Sequence, residues 1–295
     1  IAAVPVVAHL AGGILPLAKY GNAEQQARLL PGAVSGELLL TAAVEEGPTG
    51  DVSAPTVTAV SEAGGWRLSG YRLAVPYGAQ AHRVLLGART DAGVIAVLLD
   101  PQAAGVTLTT LNTTTYEPQC AMALEGVRVD AADVLAGPAD GAAVLASVER
   151  HMSAATCMHQ IGVTDSLMRM TASYTTERKQ FGVPVATFQA VGHRAANCFI
   201  DVECLRLTAY QACSLLAEGR DAAVEVEIAK VWAGDTGHRV SYAAQHLHGG
   251  AGVDRGNALW RFCLWARHNE MSLGSSAQTL ARLGGRCAGG LAVVN

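Results

Sequence analysis

Two stretches of this chain hold residues whose types and spacing can do chemistry together. The first is Arg178-Lys179-Gln180-Phe181-Gly182-Val183-Pro184, the second His246-Leu247-His248-Gly249-Gly250-Ala251-Gly252. A guanidinium is a permanently charged, forked donor that matches phosphate oxygens. A glycine cluster after a helix lets the backbone approach a phosphate closely, and free N–H groups there can donate to it. His246 adds a ring N–H. Arg178 facing such a cluster makes one side of a pyrophosphate site. Each stretch also has a plainer reading. Gly-x-Pro after basic residues is a helix stop, with Arg178 and Lys179 in the last turn where the helix dipole favours cations, and glycines end helices too.

Long helices must position these residues. From 143 to 176 the chain has no proline and a single glycine, Gly162, and from 188 to 218 it repeats that pattern with Gly192. Helical spacing predicts segments at 143–178, 187–219, 222–246 and 275–284, with a shorter piece over Leu259 to Glu270. Apolar stripes such as Val148, Met152 and Ala155, or Val191, Ala195, Cys198 and Val202, fit a bundle. Arg178 and His246 then come from the ends of two bundle helices. Residues 1–34 are helical in pattern as well, with Asn22 as an N-cap and Pro31-Gly32 as a stop.

Between these helical parts the period changes. Leu38–Ala42, Pro55–Val60, Trp66–Gly70, Arg83–Ala88, Gly93–Leu99 and Cys120–Leu124 read as short strands bounded by Gly, Pro, Asp and Thr. Strands so short and regularly spaced predict a compact antiparallel barrel or sandwich. The fold class is α+β, in three parts: 1–34 helical, 35–137 as a middle β domain, and 138–295 as a C-terminal four-helix bundle.

Composition excludes several classes. Half of the 295 residues are hydrophobic and 16% are charged, which describes a well-packed chain rather than a disordered one. A formal net charge of −4 leaves no basic footprint for nucleic acid. No apolar run is long enough for a membrane span, and no signal peptide is visible. Seven cysteines without Cys-x-x-Cys spacing support neither a disulfide framework nor a metal site, and a cytoplasmic location is expected.

The two motifs, with Phe188-Gln189 after the first and Trp260-Arg261 after the second, resemble those of acyl-CoA dehydrogenases. The resemblance covers most of the chain, and it implies that 1–34 is the remnant of an N-terminal helical domain whose early helices have no counterpart here. In that family these two places contact FAD bound mainly by the neighbouring subunit. The implied cofactor-binding residues are Arg178, Phe181, His246, Gly249 and Gly250, His246 standing where many relatives have glutamine.

Other family features are replaced. The Thr-Glu-Pro-x-x-Gly-Ser-Asp loop of members that hold the flavin ring is Ala43-Val44-Glu45-Glu46-Gly47-Pro48-Thr49-Gly50-Asp51 here, and Trp-Ile-Thr is Ala74-Val75-Pro76. A carboxylate at Glu45 would face an electron-rich reduced flavin unfavourably. The catalytic glutamate is replaced at both family positions, by Leu273 and by Met152, with Glu149 and Glu270 three residues away on either helix. Leucine cannot take a proton. What a neighbour's FAD would need is kept, and what an own flavin and substrate would need is gone. The resemblance therefore implies the non-catalytic subunit of a heterotetrameric acyl-CoA dehydrogenase, inactive alone, sharing FAD with a homologous catalytic partner. Ile200-Asp201-Val202, Gly237-His238-Arg239-Val240 and Leu273-Gly274-Ser275-Ser276 are similar to actinobacterial enzymes acting on steroid side-chain CoA thioesters. The alternatives are a homo-oligomeric flavoenzyme on this fold, such as a flavin monooxygenase, and a structural relative that binds no flavin.

Overall fold

The structure, a computed structural model, describes residues 1–45 and 51–290. The chain divides into two compact units, Ala2–Met152 and the part from Ser153 onward.

The first unit begins with a wide π-helical segment, Val6–Ile14, that runs into α1 (Leu15–Tyr20) and is followed by α2 (Ala23–Ser35). Asn22 caps α2 as its residue type predicts. Its Oδ1 accepts from the Gln25 N–H at 2.8 Å, and the Gln25 side chain accepts from the Asn22 N–H at 3.1 Å. Pro31-Gly32 does not stop this helix. A proline this late removes one helical hydrogen bond, while Leu29 and Ala33 on either side are buried. The stop is Gly36, at φ 82°, the left-handed conformation that glycine adopts without a Cβ penalty.

The sheet comprises β1 (Leu40–Ala43), β2 (Thr58–Glu62), β3 (Gly65–Pro76), β4 (Arg83–Thr90), β5 (Gly93–Leu99), β6 (Val106–Leu111), β7 (Gln119–Asp130) and β8 (Val134–Ala136). The order is β6-β7-β3-β2-β4-β5-β8, with β1 also paired to β4. Most neighbours are antiparallel as expected, but β1 and β2 both run parallel to β4. One core holds Leu68 and Val75 of β3, Val84 and Leu86 of β4, Ile95 and Val97 of β5, and Met122 and Val127 of β7. Val106 and Leu108 of β6 and Val134 of β8 pack on the same core. Strands from both ends of the path thus share one interior, so the sheet curls. Full burial of each large aliphatic side chain contributes roughly 1.5–3 kcal/mol. Two strands were not anticipated. β6 is threonine-rich and carries no fully buried residue, and β8 has too few residues to show a period.

α3 (Gly141–Glu177) starts in the first unit and ends in the second. It is followed by a hairpin of β9 (Lys179–Gln180) and β10 (Val183–Pro184), then α4 (Gln189–Ala217), α5 (Ala223–His248), a 3₁₀ turn at Gly249–Gly252, α6 (Leu259–Met271) and α7 (Ser276–Ala288). Cys157 and Ile161 of α3, Leu205, Ala209 and Ala212 of α4, and Val226, Ala229 and Ala233 of α5 form its core, where alanines let α4 and α5 approach closely. The expected stripe on α4 is buried only from Cys198 on. Val191 is half-buried and Ala195 exposed, because the first turns of α4 carry mostly exposed residues.

A buried amide network joins three helices. Gln160 of α3 donates to the carbonyls of Ala233 on α5 and Ala266 on α6 and accepts from Asn269. Two donors and one acceptor satisfied in a dry core fix these helices in register. All seven cysteines are free thiols, and burial pushes the Cys157 thiol up to about 12. Among the described residues there is no cluster able to hold a metal ion, and no helix is long and apolar enough to cross a membrane.

Candidate functional site

The end of α3 and the end of α5 lie together in the second unit. Tyr174, one turn before Arg178, stacks on His248 with ring centroids 4.2 Å apart, and its hydroxyl donates to the His248 carbonyl at 3.3 Å. His248 is buried, and its Nδ1 lies 2.8 Å from the Ala244 carbonyl. Tyr174 lies outside both sequence motifs, and His248, inside the second, has no role that its spacing reveals. The available signal was a tyrosine one helical turn from the arginine and a histidine beside the glycines.

Arg178 and Lys179 do not sit in the last turn of α3. The helix ends at Glu177, and Arg178 caps it by donating its N–H to the Tyr174 carbonyl at 2.8 Å. Lys179 already belongs to β9. The hairpin pairs Gln180 with Val183 and Lys179 with Pro184, and the Val185 N–H closes it onto the Arg178 carbonyl at 2.8 Å. Its two central residues, Phe181 at φ 51° and Gly182 at φ 84°, both take positive φ, the mark of a type I′ turn. Glycine meets that requirement without strain and phenylalanine does not. Phe181 is nevertheless 93% exposed, touching Phe188 edge-on with centroids 6.3 Å apart. An aromatic ring is held into solvent at an energetic cost.

The exposed Arg178 side chain makes no hydrogen bond or ion pair among the described residues. The arginines that brace this unit behave differently. Arg206 meets Asp165 and Glu203, Arg239 meets Asp201 and Asp235, Arg267 meets Glu270 and Arg286 meets Glu227.

The glycine cluster separates into three roles. A Cβ at Gly252 would lie 2.5 Å from the Gln245 carbonyl oxygen, so Gly252 serves close packing. Gly249, at φ 60° and ψ −136°, holds a backbone conformation other residues avoid, and its N–H donates to the His246 carbonyl rather than remaining free as the sequence had implied. Gly250 has neither constraint: its φ is not positive and its Cβ would point into open space. The fold does not require glycine there. His246 is exposed in the last turn of α5, which runs to His248, and its Nδ1 meets the Arg194 guanidinium. Beyond the cluster, Arg255 and Arg261 each lie over the Trp260 ring at 5.4 Å.

At the end of α6, Leu273 is 7% exposed with φ 56°. The buried Lys230 of α5 holds this corner, its ammonium donating to the carbonyls of Asn269 at 3.1 Å, Glu270 at 3.2 Å and Gly274 at 2.8 Å. The Glu270 carboxylate pairs with Arg267 and lies 3.4 Å from His238 Nδ1. In the first unit Met152 is buried against Gly12, and Glu149 is half-buried. Val75 is buried at the end of β3, and the Pro76 carbonyl accepts from Thr41 Oγ1 at 2.7 Å. Glu45 is exposed just after β1, while 46–50 of that loop lie outside the described residues.

A curled sheet in one unit and a helical bundle in the other define an α+β protein with a helical C-terminal domain. Residues 139–287 match the C-terminal domain of acyl-CoA dehydrogenases. The chain is 36% identical over 292 residues to the acyl-CoA dehydrogenase FadE27 of Mycobacterium tuberculosis, covering 96% of this chain and 76% of that one. Among solved structures it resembles the ChsE4–ChsE5 complex from Mycobacterium tuberculosis with a TM-score of 0.92 and 35% identity, over 99% of this chain and 78% of that one. It also resembles a variant of the Tcur3481–Tcur3483 steroid ACAD, with a TM-score of 0.89 and 37% identity over 97% and 77% of the two chains. The chain belongs to the acyl-CoA dehydrogenase family, whose members are FAD-dependent oxidoreductases.

Proposed function

We propose that this chain is a subunit of a heteromeric acyl-CoA dehydrogenase that introduces an α,β double bond into an acyl-CoA thioester of the steroid side-chain class. In this reading it supplies adenine and pyrophosphate contacts to FAD, while a homologous partner supplies the flavin-ring site and the catalytic glutamate. The two relatives solved as a ChsE4–ChsE5 complex and as a steroid ACAD support the heteromer and the substrate class.

The residues present fit the dinucleotide's outer half. Arg178 has no carboxylate partner among the described residues, the side of Gly250 is open, and Phe181 presents a ring face outward. Arg178 would pair with phosphate oxygens, Gly249 and Gly250 would let them approach the backbone, His246 would donate a ring N–H, and Phe181 would stack on the adenine. FAD, when bound, accepts the hydride leaving the acyl chain.

The observation that carries the reading is chemical one-sidedness. At the end of α3 the Arg178 guanidinium faces no carboxylate among the described residues, and after α5 the side of Gly250 is open. At the end of α6, where a base would be needed, the side chain is a buried leucine, and Glu270 one turn earlier is held by Arg267. A base must reach the proton it removes, so Leu273 and Met152 assign none to this chain. The direct test is to purify the chain alone and with its partner and to count flavin. The pair should be yellow and the single chain colourless. Stoichiometric flavin on the single chain would overturn the reading.

A further inference from the structure

We infer that Arg194 is a positioning residue of the same nucleotide subsite, fixing the tautomer and direction of His246; this rests on the reading above. Arg194 lies in the second turn of α4, and His246 in the last turn of α5, 52 positions away in the chain. Both are exposed, and Arg194 Nη1 is in hydrogen-bond contact with His246 Nδ1. A guanidinium can only donate, so Nδ1 must accept and carries no proton. The proton of the neutral ring is then on Nε2, at the far side of the imidazole from Arg194. A surface histidine without such a partner populates two tautomers and several rotamers. Here one donor points one way, the preorganisation a phosphate oxygen rewards.

Two further observations separate this contact from an ordinary surface pair. Arg194, like Arg178, meets no carboxylate among the described residues, whereas Arg206, Arg239, Arg267 and Arg286 of the same unit all do. No acid among the described residues thus competes with His246 for its guanidinium. His246 and His248, two positions apart at the end of α5, also reach different helices: His248 stacks on Tyr174 of α3, and His246 meets Arg194 of α4. The start of α4 is thereby tied to the turn carrying Gly249 and Gly250. The ligand this geometry suits is the diphosphate of a dinucleotide.

The test uses the complex of this chain with its catalytic partner, stripped of flavin and titrated with FAD at fixed salt. Arg194→Met should raise the FAD dissociation constant about ten-fold, the loss expected for one charge-assisted contact. Arg194→Lys, which keeps a cationic donor to Nδ1, should recover most of it. His246→Leu should weaken FAD to a similar degree, and the double variant should be little worse than either single one, since both remove the same contact. In complexes whose histidines are ¹⁵N-labelled on this chain only, Nδ1 of His246 should give a proton-free signal that Arg194→Met shifts toward a tautomer mixture. Circular dichroism melting checks that each variant folds. An Arg194→Met affinity within about two-fold of the parent overturns the inference, as does an unmoved His246 signal or full additivity in the double variant. Arg178→Ala separates the two levels. If it weakens FAD while Arg194→Met does not, the subsite reading stands and the role of Arg194 falls; if neither weakens FAD, both fall.

Discussion

Tyr174 and His248 lie face to face, 18° from parallel, and the tyrosine hydroxyl donates to the carbonyl of the residue it stacks on. This contact sets the distance between the end of α3, which carries Arg178, and the turn that carries Gly249 and Gly250. Tyr174→Phe keeps the stack and loses the hydrogen bond, and should cost about 1 kcal/mol of stability in urea denaturation. Tyr174→Ala removes both and should cost on the order of 2–3 kcal/mol, with weaker flavin retention in the complex. Equal stability of the phenylalanine and alanine variants would show that the stack does nothing.

Arg178→Ala should weaken flavin binding to the complex by on the order of 1.5–3 kcal/mol, so that flavin is lost on dialysis while the subunits stay together. Gly250→Val should do the same by filling open space on the glycine turn, with little change in melting temperature because nothing beyond the turn's own local backbone lies within 4 Å of the added Cβ position. Gel filtration with absorbance at protein and flavin wavelengths reads both. Flavin content unchanged in both would reduce Arg178 to a helix-end cation.

Phe181 should behave oppositely in stability and in binding. Its positive φ is unfavourable for phenylalanine and natural for asparagine, and its ring packs only edge-on against Phe188. Phe181→Asn should therefore stabilise the protein by roughly 0.5–1 kcal/mol while flavin binding weakens. Gly182→Ala at φ 84° should destabilise by about 1 kcal/mol. Thermal melts with parallel flavin titrations separate the two effects, and a destabilised Phe181→Asn would mean the ring serves the fold.

Glu149→Gln and Glu270→Gln in this chain should leave turnover of the complex within a few-fold of the parent, since loss of a true base costs roughly 10²–10⁴-fold. Glu270→Gln should still lower the melting temperature slightly through the loss of its Arg267 partner. A hundred-fold loss from either change, with the complex assembled and yellow, would make this chain the catalytic one.

Periodicity and punctuation were enough to place α3, α4 and α5 to within a few residues, because proline-free runs ending in glycine act locally. The Asn22 cap was legible for the same reason: its partner Gln25 is three residues away. The family motifs were legible as contiguous strings. What was not legible depends on residues far apart in the chain. Pro31 was read as a stop because proline's local cost is visible, while the burial of Leu29 and Ala33 that carries the helix past it is not. Arg178 and Lys179 left the helix for a hairpin because Phe181-Gly182 makes a primed turn, a choice settled by chain reversal into α4 rather than by helix propensity. Lys230, Arg194 and Tyr174 lie outside the motifs, and each gains its role from a partner 39 to 74 positions away. Residue types thus determined that Arg178 is a permanent cationic donor and that Leu273 and Met152 carry no titratable group. Helix packing alone decided which groups stand together and which way the His246 donor points.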